Sequence, residues 1–380
     1  ILYKGKQNLP IKSICQISQN ELCLGTDGKG TKIFNIPKQL ITDYPFDNNY
    51  LDSGTSKVHS VLKDNAGNLW IAIYQKGVMM IPAQPNSFKY IGYKSINKNI
   101  IGSNCITSLC RDHKGILWIG TDNDGIYGIT TELKQKVHYA PHDSPSSVPS
   151  TVFGLYEDSE HNLWFGSYTN GLGRLDKKTG QCSYLQNLTD KNGNRIQRVY
   201  DLVEDQDKRL WIATMGAGLF YYDLKTGQSV YDPKFNAATK KYKWISCLLY
   251  AGDNHLYVGT YDGIRCIDLS TDDFKTEEIL SRHIIHSLYE DPQGNIWIGN
   301  SEGLAEWNPQ TQQLKTYTTA HGLSSNAVYA IKGDGQDNLW ISTNAGMSRF
   351  NLNTHTFSNF YADDGLQGNE FSKNASFADH

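Results

Sequence analysis

The stretch Gly115–Gly125, Gly-Ile-Leu-Trp-Ile-Gly-Thr-Asp-Asn-Asp-Gly, returns in seven further variants along the 380-residue chain. Successive copies lie 40 to 48 residues apart when they are aligned on the fourth residue, which is Trp in six of the eight copies. The aligned positions are Cys23, Trp70, Trp118, Trp164, Trp211, Tyr257, Trp297 and Trp340. A repeat of this length is typical of four-stranded propeller blades, since helical and leucine-rich solenoid repeats usually run shorter.

Each copy contains the pattern of four short strands. A continuous apolar run such as Val152–Tyr156 is followed by a polar turn that begins with an aspartate, here Asp158, and then by the strand with the Trp. An alternating third strand and an outer strand follow, as in Leu172–Asp176 and Gln181–Leu185. A small residue comes soon after each aromatic position, and we expect neighbouring blades to approach most closely there. The sequence therefore predicts an all-β protein, a β-propeller of four-stranded antiparallel blades with almost no helix.

The composition excludes several classes of protein. The net charge of −3, without a basic block, gives no electrostatic reason for direct contact with nucleic acid or an anionic membrane. No segment approaches the ~20 apolar residues of a membrane span. The seven cysteines show no Cys-x-x-Cys spacing and mostly occupy strand positions where other copies have Ile, Val or Leu. They are expected to be small core residues, with no disulfide or zinc framework.

The number of repeats exceeds one seven-bladed ring. Eight copies are accompanied by two fragments: Ile1–Lys6 resembles an outer strand, and Glu370–Phe377 resembles the first strand of a further repeat. The second repeat departs most from the others, because Pro82 and Pro85 cannot donate to a strand ladder and should end its third strand early. We predict seven-bladed propellers in tandem, with residues 1–96 the last blades of a first ring and residues 97–380 most of a second. A single large propeller over residues 1–380 is the alternative.

The pattern Asp-x-x-Gly-x-Leu-Trp-Ile-Gly-Thr-x-x-x-Gly-Ile at Asp112–Ile126 resembles the two-component regulator propeller repeat. The segment Asp364–Phe371 is similar to the lead-in to the last blade of that family. The resemblance covers essentially the whole chain and implies the periplasmic, oligosaccharide-sensing region of a hybrid two-component protein. In such proteins a β-sandwich, a membrane helix and a histidine kinase follow, and this chain contains none of these parts. It also implies a homodimer, and membrane attachment only through downstream segments.

No cofactor, metal or catalytic residue is predicted. Asp122 and Asp124, and likewise Asp201, Asp205 and Asp207, offer oxygen ligands, but aspartates spaced along turns more often hydrogen-bond to the local backbone. The Asp-containing turns differ in spacing from the Asp box of sialidase propellers, and no clustered acid, base or nucleophile is evident. The region is therefore expected not to be an enzyme.

A ligand would bind to the loops that share one face of the ring. These loops connect the second strand to the third and the outer strand to the next inner strand, and they vary between copies while the strands do not. Aromatic side chains beside charged and amide groups suit sugars, and the arginines suit an acidic glycan. The candidate ligand-binding residues are Tyr74, Lys76, Asp122, Asp124, Tyr168, Asn170, Arg195, Arg198, Trp244, Tyr261, Arg282, His283 and His321.

Three functions remain open on the sequence. The favoured one is a sensor region that binds an oligosaccharide and signals by altered packing between rings or protomers. The second is a propeller glycan lyase or hydrolase, which would release a product. The third is a protein-interaction propeller, which would bind a partner over one face and be indifferent to sugars.

Overall fold

The strands of the chain form a series of antiparallel sheets that match the repeats one by one. The computed structural model describes residues 9–44, 54–81, 83, 88, 91–92, 101–102, 105–130, 136–190, 192–231, 243–271, 274–373 and 375–378. The chain divides into two compact units, Ile1–Gly102 and Ser103–His380. The predicted outer strand at Ile1–Lys6 and the predicted boundary after residue 96 lie outside the described residues. That the units belong to two rings stays a prediction.

The first unit contains two blades. Blade 1 is the four-stranded sheet β1-β2-β3-β4, and the described residues of blade 2 form the sheet β5-β6-β7. Their strands are β1 (Ile11–Ser18), β2 (Glu21–Thr26), β3 (Thr31–Asn35), β4 (Leu40–Asp43), β5 (Val58–Lys63), β6 (Leu69–Ile73) and β7 (Gly77–Ile81). The strand β7 ends directly before Pro82, as the missing amide of proline predicts.

The second unit contains six four-stranded blades, numbered 3 to 8 in chain order. Blades 3 to 5 comprise β8 (Ile106–Arg111), β9 (Leu117–Thr121), β10 (Ile126–Ile129), β11 (Lys136–Tyr139), β12 (Val152–Glu157), β13 (Leu163–Ser167), β14 (Leu172–Leu175), β15 (Cys182–Tyr184), β16 (Val199–Glu204), β17 (Arg209–Thr214), β18 (Leu219–Asp223) and β19 (Gln228–Tyr231). Blades 6 to 8 comprise β20 (Ile245–Tyr250), β21 (His255–Thr260), β22 (Gly263–Asp268), β23 (Thr276–Ser281), β24 (Ile285–Glu290), β25 (Ile296–Asn300), β26 (Leu304–Asn308), β27 (Gln313–Tyr317), β28 (Val328–Gly333), β29 (Asn338–Thr343), β30 (Met347–Asn351) and β31 (Thr356–Phe360).

Helix among the described residues consists of short 3-10 turns, such as Thr319–His321 and Ala362–Asp364. The all-β, four-stranded blade architecture predicted from the repeat is therefore confirmed. No helix among the described residues has the length and apolar character needed to cross a bilayer.

From blade 3 to blade 7, the aromatic residue of the repeat packs on the inner and second strands of the blade that follows it. Trp118 of blade 3 lies in one apolar cluster with Val152 and Leu163 of blade 4, and Trp211 of blade 5 lies with Ile245 of blade 6. Trp70 belongs to the last blade of the first unit and is 39 % exposed. The side chain therefore serves as a blade-to-blade contact, and its burial depends on a following blade.

The aspartate at the start of the polar turn fixes the orientation of this aromatic side chain. The indole Nε1 of Trp118 donates to Asp112 Oδ2 at 3.0 Å, and that of Trp211 donates to Asp205 Oδ2 at 2.7 Å. Because a buried N–H without a partner is costly, the carboxylate lets the whole indole enter the core. The repeat therefore pairs its two most regular residues, Asp and Trp, six positions apart.

The cysteines behave as the sequence predicts. All seven are free thiols, and Cys23, Cys110, Cys182, Cys247 and Cys266 are buried. Burial raises the pKa of the Cys182 thiol to about 12, so this thiol stays protonated and unreactive at neutral pH.

The segment after β31 differs from its prediction. Residues 370–373 and 375–378 form no strand. Phe371, Ser372, Lys373, Ser376 and Phe377 line cavities of the second unit. Just before this segment, the Gly346 amide of blade 8 donates to the Asn369 carbonyl oxygen at 2.7 Å.

Candidate functional site

A bulge near the start of the inner strands sets the position of the central side chains in the second unit. The pairing register between each inner strand and its second strand shifts after the first residue, as between Val199 and Asp201 and between Val328 and Ala330. A bulge leaves one residue outside the regular alternation and re-aims its side chain. The residues so placed are Thr107, Tyr200, Ser246, His286 and Tyr329, with Phe153 in a wider irregularity.

Four of these bulged residues line one cavity of about 310 Å³, which we call the mouth. Its lining consists of Thr107, Phe153, Tyr200, Tyr329, Phe371, Ser372 and Lys373. The rings of Phe153 and Tyr200 lie 4.9 Å apart, centroid to centroid, and the Lys373 ammonium lies 5.8 Å from the Tyr329 ring centre. The mouth therefore offers aromatic faces beside a cation.

A second cavity, of about 450 Å³, shares Phe153 with the mouth and touches the inner strand of every blade from 3 to 8. We call it the channel. One residue from each of these strands gives it an apolar belt, formed by Leu109, Leu155, Leu202, Leu248, Leu288 and Ile331. The charged residues in its lining are Arg111, Glu157, Asp201 and Lys332, and the charges of Asp201 and Lys332 favour each other.

Burial dominates the ionisation of the groups in the channel and mouth. It raises the pKa of Asp201 to about 6, against the backbone amides of Leu248 and Leu202 that donate to its carboxylate at 2.8 and 2.9 Å. Burial also lowers the pKa of Lys332 and, at the mouth, that of Lys373. The same cause, with the nearby Lys373 charge, lowers the pKa of His286 to about 4, so His286 is neutral at pH 7.

Because the pKa of Asp201 is raised, the free energy of unfolding should fall as the pH rises. Its folded-state pKa of about 6 lies above the ordinary value of about 3.9, so the protonated carboxyl stabilises the fold below about pH 4. This contribution is lost as the pH rises through about 6. We expect the free energy of unfolding of the wild type, relative to Asp201→Asn, to drop by about 1–3 kcal/mol between pH 4 and pH 7. Urea denaturation at both pH values measures it; a difference that does not change with pH would contradict the assignment.

Several predicted ligand-binding residues form pairs at the rim beside the mouth. The Arg198 guanidinium lies 4.9 Å from the Tyr168 ring centre, and Tyr168 meets Phe153 edge-on at 5.9 Å. The rings of Trp244 and Tyr261 lie 5.8 Å apart. Tyr168 is 43 % exposed and Trp244 is 42 % exposed, although both are large apolar side chains. The rim therefore continues the aromatic surface of the mouth.

A further pair at the rim consists of Arg195 and Asn170. The Arg195 guanidinium donates through Nη2 to the Asn170 carbonyl oxygen at 3.0 Å. The contact fixes the position of the arginine over the loop that follows β13, and its remaining donors are on an exposed side chain.

Other predicted residues have partners that favour a structural role. Asp122 accepts a hydrogen bond from Thr151 Oγ1 at 2.8 Å, and Asp124 accepts one from the Tyr127 hydroxyl. Both carboxylates therefore accept hydrogen bonds from side chains. The sequence predicted hydrogen bonds to the local backbone instead. His283 Nε2 lies 3.2 Å from a carboxylate oxygen of Glu302, and His321 Nδ1 accepts from the Thr318 amide at 3.0 Å within its own 3-10 turn.

The remaining predicted residues lie elsewhere. The Arg282 amide donates to the Asp262 carbonyl oxygen at 2.9 Å, which joins two of the rim loops through their backbone. Tyr74 and Lys76 belong to the first unit, where Tyr74 stacks on His59 at 5.2 Å. Binding by any of the predicted residues stays a prediction.

Sequence reasoning missed the mouth itself. Phe153 and Tyr200 lie inside apolar runs that predict inner strands, and Tyr329 lies in the corresponding segment of the last repeat. One signal was present: an aromatic residue stands at the second position of three of these runs, directly after a valine. Its meaning depends on the bulge, which the residue pattern does not reveal.

Comparison with known proteins places the repeats in a family. The sequence profile of the two-component regulator propeller matches residues 100–123, 146–169, 190–216, 279–302 and 322–345. No curated protein sequence matches the chain at a significant level.

Solved structures share the fold. The chain is similar to the extracellular domain of BT3049 from B. thetaiotaomicron, assigned as a hybrid two-component system, with 22 % identity and a TM-score of 0.80 over 97 % of this chain and 49 % of that one. The corresponding domain of BT4673 from B. thetaiotaomicron is 20 % identical, with a TM-score of 0.64 over 96 % of this chain and 50 % of that one. PorZ of Porphyromonas gingivalis, a component of a secretion system, is 12 % identical, with a TM-score of 0.54 over 95 % of this chain and 59 % of that one.

The chain thus spans about half the length of the two-component domains that it resembles. The family profile matches each time on the inner strand, the Asp turn and the aromatic second strand, which are the parts that build the blade core. In these five stretches, the chain carries the repeat of the two-component regulator propeller family.

Proposed function

We propose that this chain is an extracytoplasmic, periplasmic ligand-sensing region of a hybrid two-component protein, that it binds an oligosaccharide from a complex glycan, and that it signals to a downstream histidine kinase. The observation that carries the binding step is the mouth of the second unit with its rim, where aromatic rings stand beside Lys373 and Arg198. The family of the repeats and the likeness to extracellular two-component domains support the sensing role.

The mouth and its rim suit a sugar for physical reasons. A pyranose ring presents C–H faces that pack on aromatic rings, and its hydroxyls need hydrogen-bond partners. The path from Tyr168 through Phe153 to Tyr200 supplies neighbouring rings at 5.9 and 4.9 Å. Burial raises the pKa of Tyr200 to about 12, so its hydroxyl keeps its proton and can donate.

The charges favour an acidic oligosaccharide. Lys373 and Arg198 each lie against a ring of this surface, which leaves the cations beside the place where a sugar ring would stack. A carboxylate or sulfate group on the sugar would accept charge-assisted hydrogen bonds there. Neutral glycans would lack this contribution and should bind more weakly.

Signalling requires that the ligand distinguish two arrangements of the protein. A ligand shifts an equilibrium only by its difference in affinity for the two states. We propose that binding alters the packing of rings or of protomers in a homodimer. Neither nucleic acid nor a membrane surface would be contacted by this region.

The direct test is a thermal-shift screen of the protein against purified neutral and acidic oligosaccharides, with the recovered sugars checked for cleavage. A ligand at about 100 times its dissociation constant should stabilise the fold by about 2.7 kcal/mol. A shift with intact sugar supports the sensor. No shift with any glycan would contradict oligosaccharide binding and favour protein interaction, and a cleaved sugar would favour a glycan-active enzyme.

The position of the site is tested by Tyr200→Ala. Loss of one stacking ring should weaken binding of the identified sugar about tenfold, measured by calorimetry. Tyr200→Phe keeps the ring and should retain most of the affinity. The control is Leu314→Ala, which truncates an exposed apolar residue on the outer strand β27. Unchanged affinity in Tyr200→Ala would exclude the mouth as the binding site.

A further inference from the structure

Three potential metal ligands meet where blades 3 and 4 adjoin. His113 lies in the polar turn after β8, Glu157 is the last residue of β12, and His161 lies in the turn after β12. One ligand atom from each lies within 4.8 Å of the other two. His113 Nδ1 is 2.8 Å from Glu157 Oε1, and the two imidazole rings stack with their centres 3.8 Å apart.

The repeat itself brings these groups together. The backbone amide of His113 donates to Glu157 Oε2 at 2.6 Å, so the glutamate of one blade holds the turn of the blade before it. His161 occupies the fourth position of its turn with a φ of 67°, in the left-handed region. Both histidines are exposed, and the carboxylate between them is half-buried.

The next junction has the same frame with different side chains. There the Ser159 amide donates to Glu204 Oε2 at 2.7 Å, and Lys208 Nζ lies 3.5 Å from Glu204 Oε1. Lys208 stands at the fourth position of its turn with a φ of 69°, as His161 does. Blade packing therefore uses the glutamate but does not need the histidines, which are particular to the junction of blades 3 and 4.

We propose that His113, His161 and Glu157 form a binding site for a divalent transition-metal ion of the zinc type, bridging two blades. Two imidazole nitrogens and one carboxylate oxygen are a common donor set for Zn²⁺, and three protein ligands leave a fourth position for water. Ca²⁺ and Mg²⁺ prefer more oxygen ligands and should not compete. The ion takes the place of the hydrogen bond between His113 and Glu157, and each imidazole binds it in the neutral form.

Lys177 sets a limit on the affinity. Its ammonium contacts the Glu157 carboxylate and lies 3.3 Å from Asp112 Oδ2, so a positive charge already stands beside the site. A cation bound there is repelled by Lys177 and shares the carboxylate with it. The site is therefore expected to bind more weakly than a closed structural zinc site.

The test is equilibrium dialysis of the whole chain against ZnCl₂, comparing the wild type with the double variant His113→Ser, His161→Lys. These substitutions install the residues that the neighbouring junction already carries, so folding should be preserved, and circular dichroism checks this. We expect the double variant to bind about one Zn²⁺ per chain fewer than the wild type, because its affinity at this site should fall more than about tenfold.

The control is His142→Ser, which removes an exposed histidine that is not one of the three ligands and should leave zinc binding unchanged. Substitution of Co²⁺ gives a second readout, because the visible absorption of bound Co²⁺ should appear in the wild type and be absent in the double variant. Equal Zn²⁺ binding by the wild type and the folded double variant, or no binding by the wild type, would overturn the proposal.

Discussion

Trp118→Ala should lower the free energy of unfolding by about 3–5 kcal/mol, the range for large buried aromatic residues. Trp118 is 3 % exposed, packs on blade 4 and donates its indole N–H to Asp112. Truncation would leave a cavity between two blades and a buried carboxylate without one of its donors. Gly128 lies against the same indole and has no side chain with which to fill the space.

The matched control for this prediction is Trp70→Ala. Trp70 occupies the same position of its repeat and donates to Asp64 Oδ2 at 2.8 Å, but its side chain is 39 % exposed. Trp70→Ala should lower the free energy of unfolding far less, because the native state buries less of the Trp70 side chain. Urea denaturation followed by far-ultraviolet circular dichroism measures both. A loss below about 1 kcal/mol for Trp118→Ala would show that the aromatic residue of the repeat is not what joins the blades.

Gly166→Ala should lower the free energy of unfolding by about 1–3 kcal/mol through overpacking between blades 4 and 5. A Cβ at Gly166 would lie 2.5 Å from the Val199 carbonyl oxygen, at the start of the next inner strand. Backbone cannot move aside as the end of a side chain can, so the two blades would have to separate.

The comparison for this prediction is Gly368→Ala. A Cβ there would meet no other atom within 4 Å, and the residue has no left-handed backbone conformation to strain. We expect its stability to stay within about 0.5 kcal/mol of the wild type. If urea denaturation showed that Gly166→Ala also leaves the free energy of unfolding unchanged, the two blades would not approach each other closely at this glycine.

The blade-to-blade contact at the small residue was predictable from the repeat and is confirmed at several junctions. A Cβ at Gly25 would lie 2.7 Å from Val58, and one at Gly299 would lie 2.7 Å from Val328. Both valines begin the next inner strand. The pattern could be found from one sequence because every copy meets the same neighbour in the same way.

The candidate site was only partly predictable. Tyr168, Arg198, Trp244 and Tyr261 were found because aromatic and charged residues in variable loops stand out against a regular repeat. Tyr200 and Tyr329 did not stand out, since a tyrosine in an apolar strand usually belongs to the core. The zinc-type site was also missed: His113 is 44 positions from Glu157 and 48 from His161, and only the tertiary structure brings it beside them.

The sequence by itself determined the all-β class, the strands of each blade and the family, because these depend on local patterns repeated eight times. The tertiary structure alone decided which side chains share a space. The bulge in each inner strand turns Phe153, Tyr200 and Tyr329 into one mouth, and the curvature of successive blades brings Asp201 and Lys332 to the same channel. Such convergence depends on small rotations accumulated from blade to blade, which leave no mark on the residue types.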